Sequence, residues 1–264
     1  AMRACNDLGY AAAVLLRKNY DVKLRDYQTE FCSEAEMFRE LNKASGGIVK
    51  LLAIAPEVEG AKECIEELKD EVVLSVAHTM ADYEQAKEAF EHGVHHVTHL
   101  YNAMAGLSHR KPGVVGAAAD DEHVEAEMIC DGVHIHPATV RQTFKMFGDD
   151  RIIMISDSME ATGMPDGDYA LGGQKVIKKG HLATLEDGTI AGSATNLMDC
   201  VRVVVQKMNI PLESAVKCAA VNSAKSVGIY DQYGSITPGK TANMVLLKEK
   251  DLSTKQVILK GKML

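Results

Sequence analysis

Five short apolar runs between residues 47 and 158 constrain this chain more than any other feature. They are GIVKLLAIAPE (47–57), EVVLSVAHT (71–79), HHVTHL (95–100), EAEMICDG (125–132) and RIIMISDS (151–158). Each is apolar throughout its middle and bounded by loop residues, the pattern of a strand buried on both faces. Helical patterns lie between them, most plainly ADYEQAKEAFEHG. There Asp82 is placed to cap the start, Ala86, Ala89 and Phe90 form the apolar stripe, and Gly93 supplies a left-handed stop. Strand, helix, strand at this spacing predicts a parallel sheet.

The polar residues of these runs share an address. His78, His99, Asp131 with His134, and Asp157 all fall at or just beyond the C-terminal end of a strand. Polar groups on successive strand ends predict a (β/α)₈ TIM-type barrel, whose active site lies at that end. A doubly wound sheet would gather them at one switch point instead. After Asp157 the pattern changes. GQKVIKKGHLATLEDGTIAGS alternates in the manner of exposed strands and predicts a β-hairpin turning at Asp187 and Gly188. Helices are expected at about 196–208 and 212–227. Short strands follow to the end of the chain, so the expected domains are a barrel over residues 1–232 and a small β appendage over 233–264.

His92, His95, His96 and His99 place four of the ten histidines within eight residues. Strand alternation separates them: His95, Val97 and His99 share one face, His96 and Thr98 the other. His92 belongs to the end of the preceding helix, where an imidazole complements the dipole. His95 and His96 start the strand, at the far end from any site. His99, with His78 from the neighbouring strand, fits a metal site built from strand ends, and a hydrogen-bonded pair at the rim fits the spacing equally well. Asp157 closes an apolar strand, where a carboxylate needs a partner or caps the next helix. His134 is suited to donate to a substrate oxygen, whereas His136, beside Pro137, reads as a loop or capping residue.

A formal charge of −8 with a pI near 5.7 argues against nucleic acid or an anionic membrane as partner. Any anionic ligand must be met by local groups. Cys5, Cys32, Cys64, Cys130, Cys200 and Cys218 are far apart and mostly within apolar runs, as reduced core thiols are. No apolar run reaches the roughly 18 residues that span a bilayer, and the opening AMRACNDLGY has no signal-peptide pattern. The expected location is cytoplasmic.

The motifs AHTMADYEQA, VTHLYNAM, HRKPGVVGAA, CDGVHIHP, ISDSMEATG and IAGSATNLMDCVR, taken together, resemble the N-acetylglucosamine-6-phosphate deacetylases of the amidohydrolase superfamily. The tail GSITPGKTANMVLL resembles that superfamily's return to a small β-sandwich. The resemblance implies a divalent metal ion, zinc or iron, held by His78 and His99. It implies that Asp157 is general base toward the attacking water and then general acid toward the leaving amine. It implies that His134 contacts the substrate, that Asn102 and Ala103 belong to a phosphate-contacting loop, and that Arg110 reaches the phosphate of a neighbouring subunit in a homodimer. The implied reaction is hydrolysis of the N-acetyl group of N-acetylglucosamine 6-phosphate.

The resemblance breaks near residues 13–16. The family's third metal ligand, a glutamate in an H-L-E-G-P motif, should fall there, and the chain has AAAVLLRKNYDVKLRDYQTE instead. The match stops abruptly, which implies an N-terminally truncated member: a partial (β/α)₈ barrel with a small C-terminal β-sandwich remnant. Its open edges would need covering, by DLGYAAAVLLRKN or by a second copy of the chain. Asp157 could complete three ligands with the two histidines, at the cost of tying the general base to the metal, or Glu30, Glu34 or Glu36 could substitute, although none sits in the family's context. Weakened metal affinity follows, and a non-catalytic phosphosugar-binding remnant is the alternative reading.

Overall fold

The computed structural model describes residues 34–264. Cys5, Cys32, Glu30, the segment DLGYAAAVLLRKN and the place of the missing glutamate lie outside them. The chain divides into two compact units, with the division between Ala126 and Glu127.

In the first unit, helix α1 (Glu34–Ala44) precedes β1 (Leu51–Ile54), α2 (Ala61–Leu68), β2 (Val73–Val76), α3 (Tyr83–Glu91), β3 (His96–Val97) and α4 (Gly113–Asp120). Strand β4 (Glu125–Ile129) begins in this unit and crosses the division. The pairs are parallel, with Ile54 opposite Val76, Val76 opposite Val97 and Val97 opposite Ala126. Leu74, Val76, Val97 and Leu100 are fully buried, as two-sided strands of a parallel sheet require. Helix α3 forms where its signals place it. Asp82 accepts from the Gln85 amide at 3.0 Å, the Gln85 side chain answers to the Asp82 amide, and Gly93 leaves the helix at φ 109°.

The second unit continues with α5 (Pro137–Phe147) and β5 (Ile152–Ile155). Sheet order is β1-β2-β3-β4-β5, the order of the sequence, so no switch point of a doubly wound fold occurs among these strands. The fold is α/β with a five-stranded parallel sheet and separate antiparallel sheets. One of these is β6 (Gly167–Leu171), β7 (Gln174–Lys179) and β8 (Leu182–Leu185), which corrects the expected two-stranded hairpin. The β7–β8 turn is Gly180–His181. Asp187–Gly188 makes a second turn, with the Leu185 amide on the Thr189 carbonyl at 2.8 Å. Strand β6 escapes the hydrophobic pattern because it is mostly exposed and joins through backbone pairing to β7. Val176 and Ala183 pack with Met159, Ala161 and Ala194 beneath this sheet.

Helix α6 (Leu197–Met208) is capped by Asn196 and stopped by Asn209 at φ 56°. A continuous helical stretch follows, α7 (Leu212–Val216), a π turn (Lys217–Asn222) and α8 (Ser223–Ser226), close to the expected 212–227. The wider turn brings buried Asn222 over the start of β5, where its amide donates to the carbonyls of Asp149 at 2.8 Å and Ile152 at 2.7 Å. Strands β9 (Met244–Leu247), β10 (Thr254–Leu259) and β11 (Lys262–Met263) form an antiparallel sheet at the end. Cys64, Cys130, Cys200 and Cys218 are buried; burial pushes the Cys200 thiol up to about 11 and Cys218 to about 12, so both stay protonated.

Asn222 ties the helical stretch to β5, the strand that leads to Asp157. Asn222→Ala is expected to lower stability by about 1–3 kcal/mol, since it strips a buried carbonyl of its donor. A lower urea midpoint with an unchanged m value checks this.

Candidate functional site

In the first unit the register of β2 on β3 sets the geometry. Val76 faces Val97, so two residues further His78 comes beside His99. Their Nε2 atoms lie 2.9 Å apart, with ring centroids at 4.6 Å and planes at 77°. Both residues stand in the left-handed region, His78 at φ 47° and His99 at φ 36°. Such backbones cost about 1–3 kcal/mol each and persist only where the surroundings hold them. Here the hold is visible. Glu57, just past β1, takes the Met80 amide at 2.8 Å on one oxygen and the Thr79 hydroxyl on the other. Thr79 is buried and bridged to Met104. Asn102 donates from its amide side chain to the carbonyls of His99 and Leu100 at 3.2 and 3.3 Å. Glu57 was not singled out in the sequence. The signal was there: a carboxylate just past a strand end, as with the histidines.

Ala103 follows in the left-handed region at φ 51° and is exposed, as is Arg110 in a turn closed by Ser108 and Lys111. Among the other histidines, His92 caps α3 and pairs with Glu66, and His95 is exposed. His96 is buried with Nδ1 2.9 Å from the Ser75 hydroxyl, which also meets Thr98 at 2.6 Å. Burial lowers its pKa to about 4, so this imidazole stays neutral.

Two imidazole nitrogens on one tetrahedral zinc stand roughly 3.3 Å apart, given Zn–N bonds of about 2.05 Å. The His78–His99 pair fits that demand in chemistry and nearly in spacing. It supplies two ligands. Among the described residues no group of three or more His, Cys, Asp or Glu side chains is gathered to hold an ion. Glu36 is exposed on α1.

The second unit carries its own cluster. Asp131, past β4, accepts the amides of Val133 at 2.8 Å and His134 at 2.9 Å on Oδ1, and Nδ1 of His134 at 2.8 Å on Oδ2. The Ser193 hydroxyl lies 3.4 Å from Oδ2. His136 caps α5 by accepting from the Ala138 amide, the capping role expected of it. Asp157 sits at φ 49°, two residues beyond β5, and is exposed. That corrects the capping alternative, since the next helix begins only at Leu197. Its carbonyl accepts the Ser193 amide at 2.8 Å, and the Met159 amide returns to the Ser193 carbonyl at 2.9 Å. Gly192 permits this approach, since a Cβ there would lie 3.1 Å from Cβ of Met159.

No helix among the described residues is long and apolar enough to cross a membrane. The model of the amidohydrolase family matches residues 29–264. N-acetylglucosamine-6-phosphate deacetylase of Bacillus subtilis is 39% identical over 81% of this chain and 54% of its own length. N-acetylgalactosamine-6-phosphate deacetylase of Escherichia coli O157:H7 is 35% identical over 86% of this chain and 62% of its own. Among solved structures, a Mycobacterium smegmatis N-acetyl-D-glucosamine-6-phosphate deacetylase mutant in complex with N-acetyl-D-glucosamine-6-phosphate superposes with a TM-score of 0.82. It is 35% identical over 87% of this chain and 61% of its own. The chain therefore spans little more than half the length of these relatives.

Burial works against the charged form of both members of the Asp131–His134 pair, and their mutual contact overcomes it. Asp131 is held below the usual carboxylate range despite burial, by the His134 ring and the two amides. His134 is raised despite burial, by Asp131, the Ala191 carbonyl and the charge of Asp157. A raised histidine contributes stability that is full below its unfolded pKa of about 6.5 and is lost as pH rises through the folded value. A depressed Asp131 contributes stability that is lost in acid. Wild-type protein is expected to lose this contribution to unfolding free energy as pH rises above about 6.5, and His134→Gln to flatten that slope, as read by urea unfolding at each pH.

Proposed function

The chain belongs to the amidohydrolase family, and from that premise we propose that it hydrolyses the N-acetyl group of N-acetylglucosamine 6-phosphate to give acetate and glucosamine 6-phosphate. The observation that carries this reading is the His78–His99 pair, two Nε2 atoms 2.9 Å apart at the ends of adjacent parallel strands. The motifs around both histidines are those that resemble the deacetylases. The five parallel strands are read as part of a (β/α)₈ barrel, within a barrel domain over 1–232 and a β appendage over 233–264.

In this reading His78 and His99 hold a divalent ion, zinc or iron. When bound, such an ion promotes ionisation of water and polarises an amide carbonyl. Asp157, exposed beyond β5, takes the proton of the attacking water and returns it to the amine as the carbon–nitrogen bond breaks. Water oxygen ends on acetate, and its proton on the amino sugar. His134 donates to a substrate oxygen. The turn at Asn102 and Ala103 belongs to the phosphate loop, and the Asn102 amide braces it. The exposed guanidinium of Arg110 suits a phosphate through its fork of donors, reaching across a homodimer. A cytoplasmic location accompanies an intracellular sugar phosphate.

The test is acetate release from the zinc- or iron-loaded protein, with N-acetylgalactosamine 6-phosphate run beside the glucosamine compound. N-acetylglucosamine 6-phosphate should be the better substrate, Asp157→Asn should lower kcat by about 10²-fold or more, and His99→Ala should lose metal by elemental analysis. Phosphosugar binding with no turnover above the His99→Ala background would instead identify a binding remnant.

A further inference from the structure

The contact between Asp131 and His134 is buried on both sides, with side-chain exposures of 0% for the aspartate and 6% for the histidine. A carboxylate is an acceptor only, so the 2.8 Å contact between Oδ2 and Nδ1 requires the proton to sit on Nδ1. The carboxylate cannot turn away, because Oδ1 is engaged by the amides of Val133 and His134. The ring is thereby fixed in orientation, and Nε2, itself buried and with no hydrogen-bond partner among the described residues, is the nitrogen left for a ligand.

What Nε2 offers depends on the charge of the ring. In a neutral ring with Nδ1 protonated it is an acceptor, and in an imidazolium it is a donor. The charged groups acting on the ring are Asp131 and Asp157, both negative, and the Ala191 carbonyl adds to them. The thiols of Cys130 and Cys200, near Asp131, are buried and pushed up, so they bring no charge. A buried carboxylate without a cation is costly, and an imidazolium offsets it where it stands.

We propose that Asp131 is a positioning residue for the reaction proposed above: by anchoring Nδ1–H of His134 it holds the ring as an imidazolium whose Nε2–H is the donor presented to a substrate oxygen. It acts through His134 and touches no substrate. The proposal rests on the deacetylase reading for the identity of the substrate, but the state of the ring is independent of it.

The experiment is a long-range proton–nitrogen correlation spectrum of the full chain at pH 7 without substrate, with the His134 signals assigned by their loss in His134→Gln. Both His134 nitrogens should be protonated. In Asp131→Asn the amide oxygen keeps the two backbone donors and the amide nitrogen faces Nδ1. The ring should then become neutral with its proton on Nε2, and kcat/KM should fall about 10-fold or more. A neutral His134 in the wild type overturns the proposal, as does an Asp131→Asn protein in which ring signals and kcat/KM are unchanged. If Asp131→Asn fails to fold, the wild-type spectrum decides alone. If the wild type releases no acetate, the deacetylase reading fails, and the spectra still decide the role of Asp131.

Discussion

The register of β2 on β3 is the constraint on which the histidine pair depends. Side chains alternate along a strand, so a slip of one residue would carry His78 away from His99 and reverse every buried position of the strand. Val76 and Val97 prevent the slip because both are fully buried and directly paired. Apolar packing in the strands thus fixes a polar geometry two residues beyond them. The site side chains need not contribute to the register, which leaves them free to be chosen for chemistry.

Beyond the strands the backbone is held in costly conformations. His78, His99, Tyr101, Ala103 and Asp157 all have positive φ without being glycine. At about 1–3 kcal/mol each, these residues would relax unless neighbours held them, and the neighbours are specific. Glu57 binds the two residues after His78, Asn102 binds back to His99, and Ser193 pairs with the backbone on either side of Ser158. Left-handed residues recur at both histidines and at Asp157, which separates these strand ends from ordinary loop starts.

The strands and helices were legible because burial imposes a period, and the period survives without neighbours being known. It sorted the histidine run as well. His96 and Thr98 share the Ser75 contact on one face, while His99 alone of the run meets His78. What was not legible depends on long-range partners. Glu57 becomes informative only when Thr79 and Met80 are known to lie beside it. Strand β6 carries little apolar signal, and the π turn at Lys217–Asn222 follows from packing of Asn222 on the start of β5. The exposure of Asp157 does not follow from strand composition. An apolar strand says nothing of the residue two positions past its end.

For a chain of net charge −8, the anionic substrate proposed above poses an electrostatic problem that must be solved locally. The two candidate cations differ in kind. His134 is paired with a buried carboxylate, so the pair has no net charge and offers a directed hydrogen bond rather than attraction. Arg110 is exposed and forms no ion pair among the described residues. Its field is screened over about 8–10 Å in physiological salt, yet it is free to close on a phosphate with both arms of the guanidinium. Attraction and orientation are therefore separable in this protein. In the proposed reaction the phosphate would answer to an exposed surface charge, and the reacting oxygen to a donor fixed by burial.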